Sequence, residues 1–275
     1  MKTVDTLIHA RWIVPVEPDD AVYAHHSLAV SEGRIVDLLP TGEARAAYRG
    51  DVEHDLDHHL LIPGLINTHT HAAMSLLRGL ADDLPLDQWL NDHIWPAESR
   101  WVSEEFVHDG SQLAIAEMLL SGTTCFSDMY FFPEEVATVA LGAGIRCQLA
   151  FPVIDFPTNW GSGPDAYIRQ GTELFDEYKN QPLINIAFGP HAPYTISRAH
   201  LERVAMLSEE LQAGVQMHVH ESAEEVASAV SATGQRPIHM LREIGLLNPR
   251  MQCVHATQLQ QDDIEHLAGL VVLEH

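Results

Sequence analysis

The chain predicts an α/β fold: a (β/α)₈ TIM-type barrel of which about six βα units are present, preceded by a small β-sandwich portion. Three observations predict it. From Leu61 onward, apolar and β-branched runs alternate with stretches of helical period, the pattern of a parallel sheet wrapped by helices. Before Leu61 there is no such alternation, and short strand-like runs follow one another with turn punctuation. No G-x-G-x-x-G follows the first strand of the alternating region, which argues against a doubly wound dinucleotide-binding sheet and for the barrel.

Residues 1–60 read as the N-terminal part of a β-sandwich domain. Strands are expected at 6–14, 27–30 and, after the Glu32-Gly33 turn, 34–38, together forming a small antiparallel sheet. Residues 61–272 read as the barrel, with strands at 61–67, 123–128, 145–151, 183–189, 215–220 and 252–255. The clearest helices are 104–120, 133–141, 197–212 with Ser197 as N-cap, and 262–268. Residues 273–275, Leu-Glu-His, read as the start of a vector-encoded tag, so that the natural sequence is cut near Val272, where a seventh strand would begin.

Composition narrows the function classes. The chain has 275 residues, 46% of them hydrophobic, and no apolar run approaches the roughly 20 residues of a membrane span, so a soluble globular protein is expected. Its formal charge of -24, from 39 acidic and 15 basic residues, repels phosphate backbones and anionic lipid, which excludes nucleic acid and membrane partners. The N-terminus lacks the charged-then-apolar order of a secretory signal. Cys125, Cys147 and Cys253 are odd in number, scattered and without a C-x-x-C neighbour, which predicts buried thiols and a cytoplasmic home.

The chemistry is concentrated at strand ends. Ile62-Pro63-Gly64-Leu65-Ile66-Asn67-Thr68-His69-Thr70-His71-Ala72 runs an apolar strand into two histidines spaced i, i+2, which share one face of a strand and supply half of a divalent metal site. Later strands end in His191, in His218-Val219-His220-Glu221 and in His255, at the edge where barrel enzymes place catalytic groups. In the fifth strand, H-x-x-E supplies a third ligand, His218, and a proton carrier, Glu221, if the backbone turns after His220. By strand geometry alone His220 is the alternative to His218.

The run Pro63-Gly64-Leu65-Ile66-Asn67-Thr68-His69-Thr70-His71-Ala72-Ala73-Met74-Ser75-Leu76-Leu77-Arg78-Gly79, continuing through Leu86-Asp87-Gln88-Trp89-Leu90 and Ile94-Trp95-Pro96-Ala97-Glu98, resembles the amidohydrolase superfamily, and within it the S-adenosylhomocysteine/5′-methylthioadenosine deaminases. The resemblance implies a barrel with a β-sandwich built from both termini and one divalent ion per subunit, usually zinc. It implies His69, His71 and His218 as ligands, with Glu221 and His255 handling the proton and orienting the attacking water. It also implies that Glu98 holds the ribose hydroxyls and that His191 contacts substrate, a small nucleoside. The segment 156–164 is expected to line the 5′ end of the pocket, where it offers no arginine for a substrate carboxylate.

Members of this family complete the metal site with an aspartate after the eighth strand, and the chain stops before it. Weak or absent activity of the 275 residues alone is therefore expected, and exposed sheet edges predict instability or homo-oligomerisation. Two alternatives are a triazine amino- or chlorohydrolase of the same superfamily, for which Glu98 has no evident task, and a non-catalytic fragment.

Overall fold

Pro63 and Gly64 separate two kinds of sheet. The computed structural model describes residues 1–268 and 271–273, and the chain divides into two compact units, one of residues 1–64 and one from Leu65 onward.

The first unit is a four-stranded sheet of β1 (Lys2–Ile13), β2 (Tyr23–Ser31), β3 (Arg34–Pro40) and β4 (Tyr48–Leu61), in the order β3-β2-β1-β4. It is mixed rather than antiparallel: β1 pairs antiparallel with β2 but parallel with β4. A parallel neighbour needs a crossover, and the helix Thr41–Ala47 supplies it, burying Ala44 against Val4, Leu7 and Ala29. The fourth strand escaped the sequence reading because its middle, Asp51-Val52-Glu53-His54-Asp55-Leu56-Asp57-His58-His59, is exposed at nearly every position. Backbone pairing with β1, not hydrophobic alternation, makes it a strand.

The second unit is a parallel sheet in sequential order: β5 (Leu65–Thr70), β6 (Thr123–Met129), β7 (Arg146–Val153), β8 (Ile184–Pro190), β9 (Val215–Val219), β10 (Met251–His255) and β11 (Val271–Leu273). Its first strand starts at Leu65 rather than Leu61, because Leu61 ends β4 and Pro63 has no N–H to give to a ladder. The ladder opens where Leu65 N–H donates to Gly122 O at 2.9 Å. The seventh strand pairs with β10 where one was expected, and Leu273 closes it; Glu274 and His275 lie outside the described residues.

Helices follow each of the first six strands. The expected helix 104–120 is present, with Ser103 Oγ capping it by accepting from Phe106 N–H. Pro133–Ala143, Pro164–Tyr178, Arg198–Leu211, Ala223–Thr233, Pro237–Glu243 and Gln261–Leu267 cover the outer face. Ser197 stands at the N-cap of its helix, although its side chain makes no cap bond. Ile115, Val136, Phe151, Phe188, Leu201 and Leu241 are among the buried residues of this core. Among the described residues no helix is long and apolar enough to cross a membrane.

The inner face shows that the sheet curls as a barrel does. Gln148 on β7 donates to Gln252 on β10 at 2.7 Å, and Gln216 on β9 donates to Thr68 O on β5 at 3.4 Å. Strands three and four places apart in sheet order reach each other only if the sheet bends round. Gln216 also donates to Ser127 at 2.8 Å, so an amide layer floors the space beneath the strand-end histidines.

Candidate active site

The parallel strands of a curled sheet all end at the same edge, so residues at their C-terminal ends converge whatever their distance in sequence. Five imidazoles meet there. His69 lies 4.8 Å from His71, 4.9 Å from His218 and 5.9 Å from His255, ring centroid to centroid. Nitrogens of His69, His218 and His255 all lie within 4.8 Å of one another. His71, one residue beyond the end of β5, packs 5.3 Å from His218.

Nε2 of His69 and Nε2 of His218 are 3.1 Å apart. Two imidazoles on one tetrahedral zinc, with bonds of about 2.0–2.1 Å, hold their nitrogens roughly 3.3 Å apart. The far sides of two rings are also set for such an ion. His71 Nδ1 donates to Met129 O at 2.6 Å and His218 Nδ1 donates to His191 O at 2.8 Å, which makes Nε2 the acceptor nitrogen of each neutral ring. Burial pushes the His218 imidazole well below its ordinary pKa, with neighbouring histidines adding to the effect, so it stays neutral as a ligand must. The donor set fits a divalent ion of the zinc type.

His220 goes elsewhere. Alternation would put it beside His218, but the strand ends at Val219 and His220 adopts a left-handed φ of 55°, turning its ring out of the cluster. Ile238 N–H donates to His220 Nε2 at 3.4 Å, and Nδ1 faces Asp263 at 3.9 Å, both side chains fully buried. His255 and Ala256 are left-handed as well, at 73° and 50°. Each such residue costs of order 1–3 kcal/mol, and here one precedes Glu221 directly and the other two are His255 and its successor.

Glu221 Oε1 lies 3.4 Å from His255 Nε2. Burial, then the charge of Glu225, pushes the Glu221 carboxyl up to about 7. His191 packs 4.9 Å from His218, and Thr195 Oγ1 lies 3.2 Å from its Nδ1. Burial lowers the His191 imidazole to about 3, so it is a neutral donor or acceptor at the site.

A cavity of about 550 Å³ opens on His71 and His191 and is walled by Trp89, Leu90, Ile94, Trp95, Phe156 and Pro157, with Glu98 among its few polar groups. Its volume is in the range of small-molecule sites. Glu98 sits on the helix Trp95–Trp101, which continues from a π-helical turn at Leu90–Ile94, and burial pushes its carboxyl up to about 7. The expected segment 156–164 contributes Phe156, Pro157, Thr158 and Asn159 to the wall; Asn159 Nδ2 ties it to Val102 O at 2.8 Å. Trp89 lines the cavity and donates to Leu80 O at 3.2 Å.

Three residues of this site were not anticipated. Tyr130 donates to Glu98 Oε1 at 2.8 Å and packs 6.3 Å from His71, linking the carboxylate to the histidines. Asp128 accepts Ala72 N–H at 2.6 Å and so fixes the turn after His71. Glu225 accepts the amides of His220 and Glu221. The signal for the first two was their place at the C-terminal end of β6, Asp128 in its last two residues and Tyr130 just beyond it, the edge where the other strands carry histidine; Glu225 looked like an ordinary first-turn helix residue.

Residues 60–272 match the model of the amidohydrolase family. The chain belongs to that family. It is 55% identical over 94% of its length to a 5-methylthioadenosine/S-adenosylhomocysteine deaminase of Saccharophagus degradans, of which it covers 58%. An adenosine deaminase from Xanthomonas campestris, solved with bound zinc, superposes with a TM-score of 0.97 at 46% identity, over 99% of this chain and 63% of that one. An atrazine chlorohydrolase from Arthrobacter aurescens, solved with zinc, superposes over 97% of this chain and 64% of that one, with a TM-score of 0.87 at 18% identity, and shares the fold alone. This amidohydrolase chain thus spans less than two thirds of each of these relatives.

Proposed function

We propose that the whole protein is a zinc-dependent aminohydrolase that converts 5′-modified adenosines to the inosine analogue and ammonia. Its substrates come from the set 5′-methylthioadenosine, S-adenosylhomocysteine, 5′-deoxyadenosine and adenosine. One observation carries the reading: His69, His71 and His218 gather beside the Glu221–His255 pair, next to a cavity that presents Glu98. The names of the similar deaminases support it.

His69, His71 and His218 would hold the ion. Zinc, when bound, supplies a water whose pKa lies near 7. Glu221, with a carboxyl near 7, takes one proton from the attacking water and hands it to the purine ring nitrogen, then takes the remaining hydroxyl proton and hands it to the amine as the C–N bond breaks. His255 Nε2 steadies Glu221 Oε1 and the charge that develops beside it. Glu98 accepts from the two vicinal ribose hydroxyls, oriented by the Tyr130 hydroxyl, and the apolar wall excludes bulk water. Three cysteines, none of them paired, suit a cytoplasmic home.

The test is ammonia release by the zinc-loaded whole protein from each of the four nucleosides. Turnover of at least one, with stoichiometric zinc, is expected; a zinc-loaded protein that releases no ammonia from any of them overturns the proposal.

A further inference from the structure

Glu225 is buried, on the first turn of the helix Ala223–Thr233, and its carboxylate is spent on two backbone amides. Oε1 accepts from His220 N–H at 2.9 Å and Oε2 from Glu221 N–H at 2.8 Å. From the other side, Thr257 N–H and Gln258 N–H donate to His220 O at 3.1 and 3.2 Å, and the Thr257 hydroxyl lies 2.8 Å from Glu221 O. The peptide that carries Glu221 is therefore held on its N–H side by one helix and on its C=O side by the segment that follows His255.

We infer that Glu225 is a positioning residue that holds the proton carrier Glu221 against His255 by clamping the left-handed turn at His220. This rests on the aminohydrolase reading of the site. A carboxylate suits the task because both its oxygens accept, so two adjacent N–H groups are satisfied by one side chain. Glutamine offers one acceptor and turns an NH₂ against the second amide. Glu225 does not line the cavity, so its loss affects the reacting geometry rather than substrate affinity.

The test uses the whole, zinc-loaded protein. For E225Q we expect kcat to fall about 10- to 100-fold, with KM and zinc content unchanged. E225D, which keeps both acceptor oxygens, should recover part of that loss. S222A is the control, since Ser222 Oγ caps the same helix by accepting Glu225 N–H at 3.1 Å but makes no contact with the clamped amides. A wild-type kcat in E225Q, or equal losses in E225Q and S222A, overturns the inference. Hydrogen exchange at the amides of 220 and 221 separates the clamp from the activity: it should speed up at least about 10-fold in E225Q, the loss of one well-made hydrogen bond. Unchanged exchange refutes the clamp even if the protein proves not to be a deaminase.

Discussion

The N-terminal sheet and the barrel are both rich in histidine, yet only one gathers them. His9, His25, His26, His54, His58 and His59 lie in the first unit. There His9 is buried and paired at 2.6 Å with Ser27, while the others are exposed or half-exposed. In the barrel His69, His71, His191, His218 and His255 come from four strands and pack ring against ring. The difference is topological. An edge strand such as β4 sends successive side chains to opposite faces and outward, whereas parallel strands of a curled sheet deliver their last residues to one place. A histidine count predicts nothing; a histidine at the C-terminal end of a barrel strand predicts a great deal.

The largest effect should come from breaking the cluster itself. Either H69A or H218A is expected to abolish stoichiometric zinc binding and bring ammonia release to background, measured by metal analysis and a coupled assay. Next, E221Q should retain zinc while kcat falls about 10²- to 10⁴-fold, the usual contribution of a proton carrier. Retained turnover in E221Q would move the proton to His255.

Glu98 sharpens the contrast between binding and fold. E98Q should raise KM about 10- to 100-fold, the equivalent of one hydrogen bond to a charged group. It should also change stability in the opposite sense. The folded carboxyl titrates near 7 and the unfolded one near 4.5, so the folded state binds the proton more tightly and wild-type stability falls as pH rises from about 4.5 through 7. At pH 8 the uncharged E98Q should therefore be more stable than wild type, by up to about 3 kcal/mol, with the gap closing below pH 4.5. Denaturant titrations at the two pH values check this. The smallest effect belongs to the other region: H58A/H59A should leave zinc and kcat unchanged and stability within about 0.5 kcal/mol. A loss of zinc there would undo the comparison.

Much of this was legible in the sequence because it depends on local pattern. The helix 104–120, the strand ends and the residues His69, His71, Glu98, His191, His218, Glu221 and His255 could all be named from spacing and resemblance, and the structure brings the histidines and Glu221 together. Two kinds of feature were not legible. β4 is exposed along most of its length, its apolar Val52, Leu56 and Leu60 lie four residues apart, and it owes its conformation to pairing with β1, which leaves no strand period to read. The choice between His218 and His220 rested on where the chain leaves the strand, and a single positive φ decided it.

By itself, then, the sequence determined which residue types stand at the strand ends, since alternation and turn chemistry are properties of neighbours along the chain. Tertiary structure decided which of them meet. Curling of the sheet brings His69 within 3.1 Å of His218, burial raises Glu98 and Glu221 toward neutrality, and packing against the next helix assigns Glu225 to the amides of 220 and 221. Distances and desolvation arise between segments far apart in the chain, and no local pattern encodes them.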